Sequence, residues 1–340
     1  MVATVDPIVE NNRRRMVALL SGLNPSEGLH TTILDGVKLR RSDRNEARTP
    51  VLYEPSIYIV ASGRKKGYVG DRCLVYDPNN YLVLSVPLPF ECEAETGDAE
   101  PLLGLSVRME IGVVSELAAS MDARLTQHSA DALACVHATA LDAALGDAAV
   151  RLLECLHSPV DAAVLGPAIK REITYRVLCG PRGETLFAML GRNGQAAQIH
   201  AILRRMHARY AEPLNVGRLA AEVGMSISAL HHHFKAVTSA SPVQYLKAVR
   251  LHQARMLIQH DRVGAAVAAN RVGYESASQF SREFKRFFGR SPMEESKRVP
   301  ATFGRNSADE KDGVREIRPK TPSRTRSATR SNENKAPVSM

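Results

Sequence analysis

The strongest constraint on the fold is a pattern that the chain carries twice, about fifty residues apart. Each copy combines paired alanines, a glycine, two large apolar residues four positions apart and a Ser-Pro pair. The turn and core positions are Gly224, Leu230 and Phe234 in the first copy, and Gly273, Phe280 and Phe284 in the second. Small alanines let two helices approach, glycine supplies the turn, and the apolar pair anchors the second helix. The pattern therefore predicts two helix-turn-helix units.

The segment between the two copies has the spacing of one long amphipathic helix, over residues 243–260. Such a helix of about 18 residues spans roughly 27 Å, which is comparable with the ~34 Å between major-groove faces on one side of B-DNA. One polypeptide could therefore place two reading helices in adjacent major grooves. An apolar stripe from Ile199 to Tyr210 predicts a further helix before the first copy, ended by Glu212 and Pro213.

The side of each reading helix that is not needed for packing is free to face base edges. We predict base readout by Ser228, His231 and His232 in the first copy, and by Ser278, Gln279, Ser281 and Arg282 in the second. Gln279 and Arg282 are the strongest candidates, because their side chains match the bidentate edges of adenine and guanine. Phosphate contacts, which position the protein without specifying sequence, are predicted for Lys235, Arg250, Arg255, Lys285, Arg286 and Arg290.

Charge is distributed unevenly along the 340 residues. Residues 1–194 carry 20 basic and 24 acidic side chains, whereas residues 195–300 carry 16 basic and 7 acidic ones. The excess of positive charge around the duplicated pattern favours a polyanionic partner. Residues 301–340 are rich in Ser, Thr, Arg and Lys and poor in large apolar groups, which predicts a disordered basic tail.

The first 110 residues have the texture of short strands. β-branched and aromatic runs at 57–60, 67–69, 73–76 and 81–86 are separated by turn-forming residues, which predicts a small antiparallel β-barrel or sandwich. Helical spacing follows at 113–125, 129–145 and 147–156, with another short helix near 161–178. The predicted fold class is α+β, with a β-barrel and helical appendage over 1–190, an all-α domain over 195–298 and the tail over 301–340.

The duplicated residues resemble the AraC/XylS family of bacterial transcription regulators. The resemblance rests on the paired alanines, a Val-Gly-(Met/Tyr)-x-Ser run, Phe-Lys and Ser-Pro, present in both halves of 195–298, and residues 50–93 resemble the cupin-like amino-terminal domain of one branch of that family. It implies promoter DNA as partner, contact with RNA polymerase, and activation rather than repression. Two positions depart from the repeat: Ser239 stands where the second copy has Gly289, and Glu295 where the first has Tyr245.

The sequence indicates neither a cofactor nor a metal site. The three adjacent histidines at 231–233 point about 100° apart on a helix and cannot share one ion. The β segments at 57–86 contain no His-x-His pair, and no Gly-x-Ser-x-Gly elbow occurs, so we do not predict an enzyme. The five cysteines include no CxxC pair, which favours a reducing cytoplasm over a zinc ribbon or disulfide framework. The sequence contains no run of ~18 apolar residues, so it predicts no membrane span, and it indicates no signal peptide.

The predicted function is a ligand-responsive, cytoplasmic transcription regulator that reads double-stranded DNA through two adjacent major grooves. A small-molecule effector is expected in the barrel, and the helices at 113–156 offer a surface for a homodimer. The first alternative is a cupin-type enzyme fused to a helical domain, which would hold metal when purified. The second is an architectural or RNA-binding protein without base readout, which would bind unrelated duplexes with equal affinity. A barrel that serves only for protein contacts is a third reading.

Overall fold

The amino-terminal part of the chain forms two antiparallel β-sheets in a computed structural model that describes residues 6–24, 26–97, 100–121, 135–183, 186, 190 and 195–297. The strands are β1 (Gly28–Thr31), β2 (Val37–Ser42), β3 (Glu46–Tyr53), β4 (Ser56–Ser62), β5 (Arg64–Val69), β6 (Arg72–Tyr76), β7 (Asn80–Leu84), β8 (Leu88–Glu95), β9 (Leu102–Arg108) and β10 (Val136–Ala140). A six-stranded sheet has the order β1-β2-β9-β4-β7-β10, and a four-stranded sheet has the order β3-β8-β5-β6. The predicted α+β class and the β-rich first part are confirmed.

Helices occupy the rest of the described chain. They are α1 (Pro7–Leu23), α2 (Ile111–Ser120), α3 (Ala143–Cys155), α4 (Pro159–Val164), α5 (Gly166–Cys179), α6 (Gln195–Ala208), α7 (Val216–Glu222), α8 (Ile227–Thr238), α9 (Pro242–Gln259), α10 (Ala265–Arg271), α11 (Ala277–Phe288) and α12 (Pro292–Ser296). Within the described residues, none of these helices is long and apolar enough to cross a membrane.

The six-stranded sheet is covered on both faces, and strand β4 shows this most clearly. Every residue of β4 is buried. Ile57 and Ile59 pack against helices α1, α3 and α5, whereas Tyr58 and Val60 face the four-stranded sheet. A strand with both faces buried is expected to be continuously apolar, as this one is. The face toward the second sheet bounds a space between two sheets.

Three elements differ from the sequence prediction or were missed by it. Residues 136–140, inside the predicted helix 129–145, form strand β10, because they pair with β7 and complete the six-stranded sheet. Residues 122–134 of that region, and the predicted tail, lie outside the described residues. The helix predicted near 161–178 is two helices, α4 and α5, separated at Leu165. Helix α1 was not predicted, although Asp6 caps it and Met16 and Leu20 are fully buried.

Helix α9 is shared by two cores in the carboxy-terminal part. Its first half, including Tyr245 and Val249, packs with α7 and α8, while its second half, including Leu251 and Ile258, packs with α10 and α11. Because one rigid helix contributes to both cores, it fixes the spacing of the two helix pairs.

Candidate nucleic-acid interface

Each duplicated copy folds as two short helices joined by a glycine turn. The turns place Gly224 at φ +66° and Gly273 at φ +83°, a left-handed conformation that favours glycine. Ser226 and Ser276 begin the second helices α8 and α11 by accepting the backbone N–H of the residue three positions on. The local sequence therefore sets where each reading helix starts.

The anchoring residues lie on the inner faces of α8 and α11. Leu230, Phe234, Phe280 and Phe284 are completely buried. Phe280 and Phe284 continue into a row of rings with Phe288, at centroid separations of 5.5 and 4.7 Å. With these inner faces fixed, the opposite faces of both helices point to solvent.

The outer faces carry most of the side chains considered for base readout. Six of the seven are exposed, namely Ser228, His231, His232, Ser278, Gln279 and Arg282. Ser281 is half-buried, and its hydroxyl donates to the carbonyl of Ala277 at 2.9 Å. Gln279 reaches Glu283 at 3.4 Å, whereas Arg282 makes no ion pair or hydrogen bond with another described residue. Of the two strongest candidates, Arg282 is thus the more available.

The six side chains considered for phosphate contact fall into two sets. Lys235, Lys285 and Arg286 are exposed on α8 and α11. Arg250, Arg255 and Arg290 are at most half-exposed and lie against other parts of the protein. The sequence could not separate these sets, because the partners of the second set come from distant segments.

Among the described residues, Arg250 donates only to backbone carbonyls. Its Nε donates to the carbonyl of Tyr210 at 2.7 Å, and its Nη2 to that of Glu212 at 2.8 Å. Its Nη1 donates to the carbonyl of Gly273, the turn of the second unit, at 3.1 Å. Burial lowers the pKa of this guanidinium. Arg250 therefore ties α9 to the segment before α7 and to the second turn, an internal role that competes with the phosphate contact predicted from the sequence.

Arg255 pairs with the buried carboxylate of Glu295. The Nε of Arg255 lies 2.8 Å from Oε1 of Glu295, whose side chain is completely buried, and its guanidinium lies 4.9 Å from the ring centre of Phe288. Gln259 donates to the same carboxylate, and Arg290 lies 3.4 Å from its other oxygen. Arg255 is thus a counter-charge for Glu295, which competes with the phosphate contact predicted for it, and Arg290 is partly held in the same way.

The first helix-turn-helix unit also packs on the β-sandwich. The hydroxyl of Tyr245 donates to the carbonyl of Pro87 and lies 2.7 Å from the ring of His207, and burial lowers the pKa of His207 to about 4. The thiol of Cys135 donates to the carbonyl of Val237, at the end of α8, at 2.9 Å. Apolar residues of both sheets and of this unit form one continuous core. Sequence reasoning missed this contact, since its partners lie about 100 residues or more apart.

The described residues include no group of three His, Cys, Asp or Glu side chains arranged to hold a metal ion. His233 is half-buried against the ring of His232, at a centroid separation of 5.2 Å, while His231 and His232 point outward. The three histidines therefore diverge, as helical geometry requires.

Two family models match the chain, one in each part. The model described as AraC-type transcriptional regulator N-terminus matches residues 33–185, and the model described as helix-turn-helix domain matches residues 219–298. Together they span strands β2–β10, helices α2–α5 and both copies of the duplicated pattern.

Two curated relatives each match about 100 residues of this chain. The Msm operon regulatory protein of Streptococcus mutans is 28% identical over 103 residues, which are 30% of this chain and 37% of that protein. The transcriptional activator RhaS of Escherichia coli is 29% identical over 99 residues, which are 29% of this chain and 36% of that protein. The chain thus spans little more than a third of the length of these relatives.

Among solved structures, ToxT of Vibrio cholerae with a bound unsaturated fatty acid has a similar fold, with a TM-score of 0.53 over 77% of this chain and 93% of ToxT. The identity is 12%, so this likeness concerns the fold alone. A DNA-binding domain with two helix-turn-helix units follows an AraC-type amino-terminal domain in this chain, which belongs to the AraC family of transcription regulators.

Proposed function

We propose that the protein is a ligand-responsive transcription activator whose helices α8 and α11 read two adjacent major grooves of one DNA site. The observation that carries this proposal is the equivalence of the two units. Both reading helices seal large apolar residues inside, present polar side chains outside, and are held by the single helix α9. Two reading helices on one rigid support match a site of about two helical turns.

The exposed side chains have distinct roles in this proposal. Arg282 and Gln279 donate to guanine and adenine edges in one groove, and Ser228, His231 and His232 contact base edges in the other. Ser278 joins the first pair, whereas Ser281 contributes less because its hydroxyl already bonds to the helix backbone. Lys235, Lys285 and Arg286 contact phosphates, with Arg290 at their edge.

The experiment is a gel-shift titration of the full chain against its own upstream region, comparing wild type with Arg282→Ala. We expect a loss of ~1–3 kcal/mol in binding free energy and relaxed specificity at one base pair. Arg44→Ala, which removes an exposed arginine of the β-sandwich, is the charge-matched control and should leave affinity unchanged. Unchanged affinity and specificity for Arg282→Ala would remove this residue from base readout.

Regulation in this proposal passes from the β-sandwich to the first helix-turn-helix unit. A small-molecule effector shifts the protein toward the state that it binds better, and the continuous core between the sheets and α8 supplies the connection. ToxT, which shares the fold, holds a fatty acid. We further propose that the activator contacts RNA polymerase, acts in the cytoplasm, and forms a homodimer through the helices beside the sandwich.

A further inference from the structure

An isolated lysine lies in the space between the two sheets. Lys65 points inward from β5 and is only 5% exposed. Its Nζ lies 2.7 Å from the hydroxyl of Tyr53, and 4.9 and 5.9 Å from the ring centres of Tyr58 and Tyr76. Aromatic rings stabilise a cation but carry no compensating charge.

Among the described residues, no carboxylate forms an ion pair with this ammonium group, whose one hydrogen-bond partner there is the hydroxyl of Tyr53. Burial raises the pKa of Tyr53 and of Tyr76, so both phenols are neutral near pH 7. The Sγ of Cys92 lies 3.2 Å from the hydroxyl of Tyr76 and 3.5 Å from the carbonyl oxygen of Glu93. A buried charge without a partner is costly, which makes this arrangement unusual.

A second buried cation faces the same space. Along β2, Val37 and Leu39 pack toward the helices, so Arg40 points to the opposite face, between the sheets. Arg40 is 7% exposed, and its charge acts on Lys65. One of its terminal nitrogens pairs with Glu46, but its Nε has no hydrogen-bond partner. Arg40 pairs with Glu46, whereas Lys65 pairs with no described carboxylate, which leaves an excess of one positive charge.

A third unpaired donor, the hydroxyl of Tyr58, lies beside Arg40. It is buried and has no hydrogen-bond partner. A Cβ added at Gly104 would lie 3.3 Å from this hydroxyl, and Gly104 is the cross-strand partner of Arg40. Because Gly104 has no side chain, the hydroxyl end of Tyr58 can lie against the backbone of Gly104, next to its cross-strand partner Arg40.

We propose that Lys65, Arg40 and Tyr58 bind the carboxylate of a small organic acid. All three groups are donors that lack a full set of acceptors, and the excess of one positive charge matches a monoanion such as a carboxylate better than a dianionic phosphate. The aromatic rings around Lys65 restrict the ligand to a small molecule and contact its apolar part. The regulatory meaning of this site rests on the proposed function, whereas the binding itself does not.

The test is thermal unfolding of the full chain in the presence of acetate, butyrate or benzoate, at constant ionic strength and with chloride as the reference anion. Each anion is added at about 50 mM, a concentration at or above the Kd of a weak ligand. At least one of the three anions should raise the Tm by about 2 °C or more, and benzyl alcohol, which lacks the carboxylate, should not. Lys65→Met should abolish the rise. Without anion it should increase the Tm, because it removes an uncompensated buried charge.

Two further variants keep the test decisive. Lys66→Met removes the neighbouring lysine, which pairs with Glu95 on the outer face of the same strand, and should leave the anion response intact. Tyr58→Phe keeps the ring and removes the unpaired hydroxyl, so it should raise the anion concentration for half-maximal shift by about fivefold or more. The proposal is overturned if none of the three anions raises the Tm, or if Lys65→Met responds as wild type does.

Gel-shift titration of the same proteins separates this proposal from the proposed function. The anion response could depend on Lys65 while wild type and variants all bind the upstream region and unrelated DNA equally. In that case the carboxylate site stands and the regulatory role fails. If specific DNA binding is present while the anions have no effect, the carboxylate site fails alone. If a carboxylate of the chain itself neutralised Lys65, specific DNA binding would again be present without an anion effect, and Lys65→Met would lower the Tm.

Discussion

Replacing Arg250 with methionine should destabilise the carboxy-terminal domain although the side chain lies on the surface of α9. Three of its donors bond to carbonyls of Tyr210, Glu212 and Gly273 at 2.7–3.1 Å. Hydrogen bonds from a charged donor contribute about 1.5–3 kcal/mol each, but the side chain is half-buried, which favours the lower end. Three such bonds at about 1.5 kcal/mol each predict a loss of about 4–5 kcal/mol in the free energy of unfolding.

Urea unfolding of the full chain, followed by circular dichroism, measures this loss. Arg271→Met is the matched control, because Arg271 is exposed near the same turn and its one ion pair, with Asp261, is 4.0 Å long. The control should change the free energy of unfolding by no more than about 0.5 kcal/mol.

The salt dependence of DNA binding decides between this structural role and a phosphate contact. A phosphate-binding arginine would weaken binding to all sequences equally and reduce the slope of log K against log salt by about 1. Our reasoning requires lower stability for Arg250→Met, with the salt slope unchanged once the folded fraction is corrected for. Full stability combined with a reduced slope would refute it and restore the phosphate role.

Three other substitutions test the packing of the two units. Gly273→Ala should cost at least about 3 kcal/mol in unfolding free energy, because the added Cβ would overlap the carbonyl of Ala211. At Gly224 the space around the added Cβ is open, so Gly224→Ala should cost only about 1 kcal/mol. Equal losses in urea unfolding would contradict this. Glu295→Ala should cost about 3–5 kcal/mol, because it leaves its arginine partners buried without a counter-charge, and calorimetry would show it. Burial lowers the pKa of His252 to about 3 from 6.5, so the stability contributed by the neutral ring is complete above pH 6.5 and is lost as the pH falls. Between pH 8 and pH 5, the free energy of unfolding of His252→Leu should therefore fall by about 2 kcal/mol less than that of wild type. Equal falls for the two proteins would contradict the assignment.

The two helix-turn-helix units were predictable because their determinants are local. Glycine turns, serine caps and apolar residues four positions apart act within about twenty residues of each other. Even the departure at Ser239 keeps the geometry of the repeat: its φ of +59° is close to the +75° of Gly289, and both residues end their reading helix. A serine is strained there but tolerated, so the pattern predicted the correct fold despite the mismatch.

Long-range partners explain what the sequence did not reveal. Nothing local distinguishes Arg250 from Arg286, yet the first bonds carbonyls of two distant segments and the second is exposed. The same limit applies to Lys65, which lies between two other basic residues in a run typical of a solvated hairpin tip. Only the pairing of β5 with its neighbours shows that Lys65 points into the sandwich while Lys66 points out.

The second departure from the repeat assigns different tasks to the two units. Tyr245 and Glu295 occupy equivalent positions, and both are buried. The tyrosine directs its hydroxyl to Pro87 of the sandwich, whereas the glutamate turns to Arg255 within its own unit. The core of the second unit correspondingly includes buried residues of 251–288 and none from the sheets, while the core of the first unit is continuous with the space between them. A signal that starts between the sheets therefore has a packed route to α8, and it reaches α11 through the shared helix α9 and through the place where α11 lies against β3.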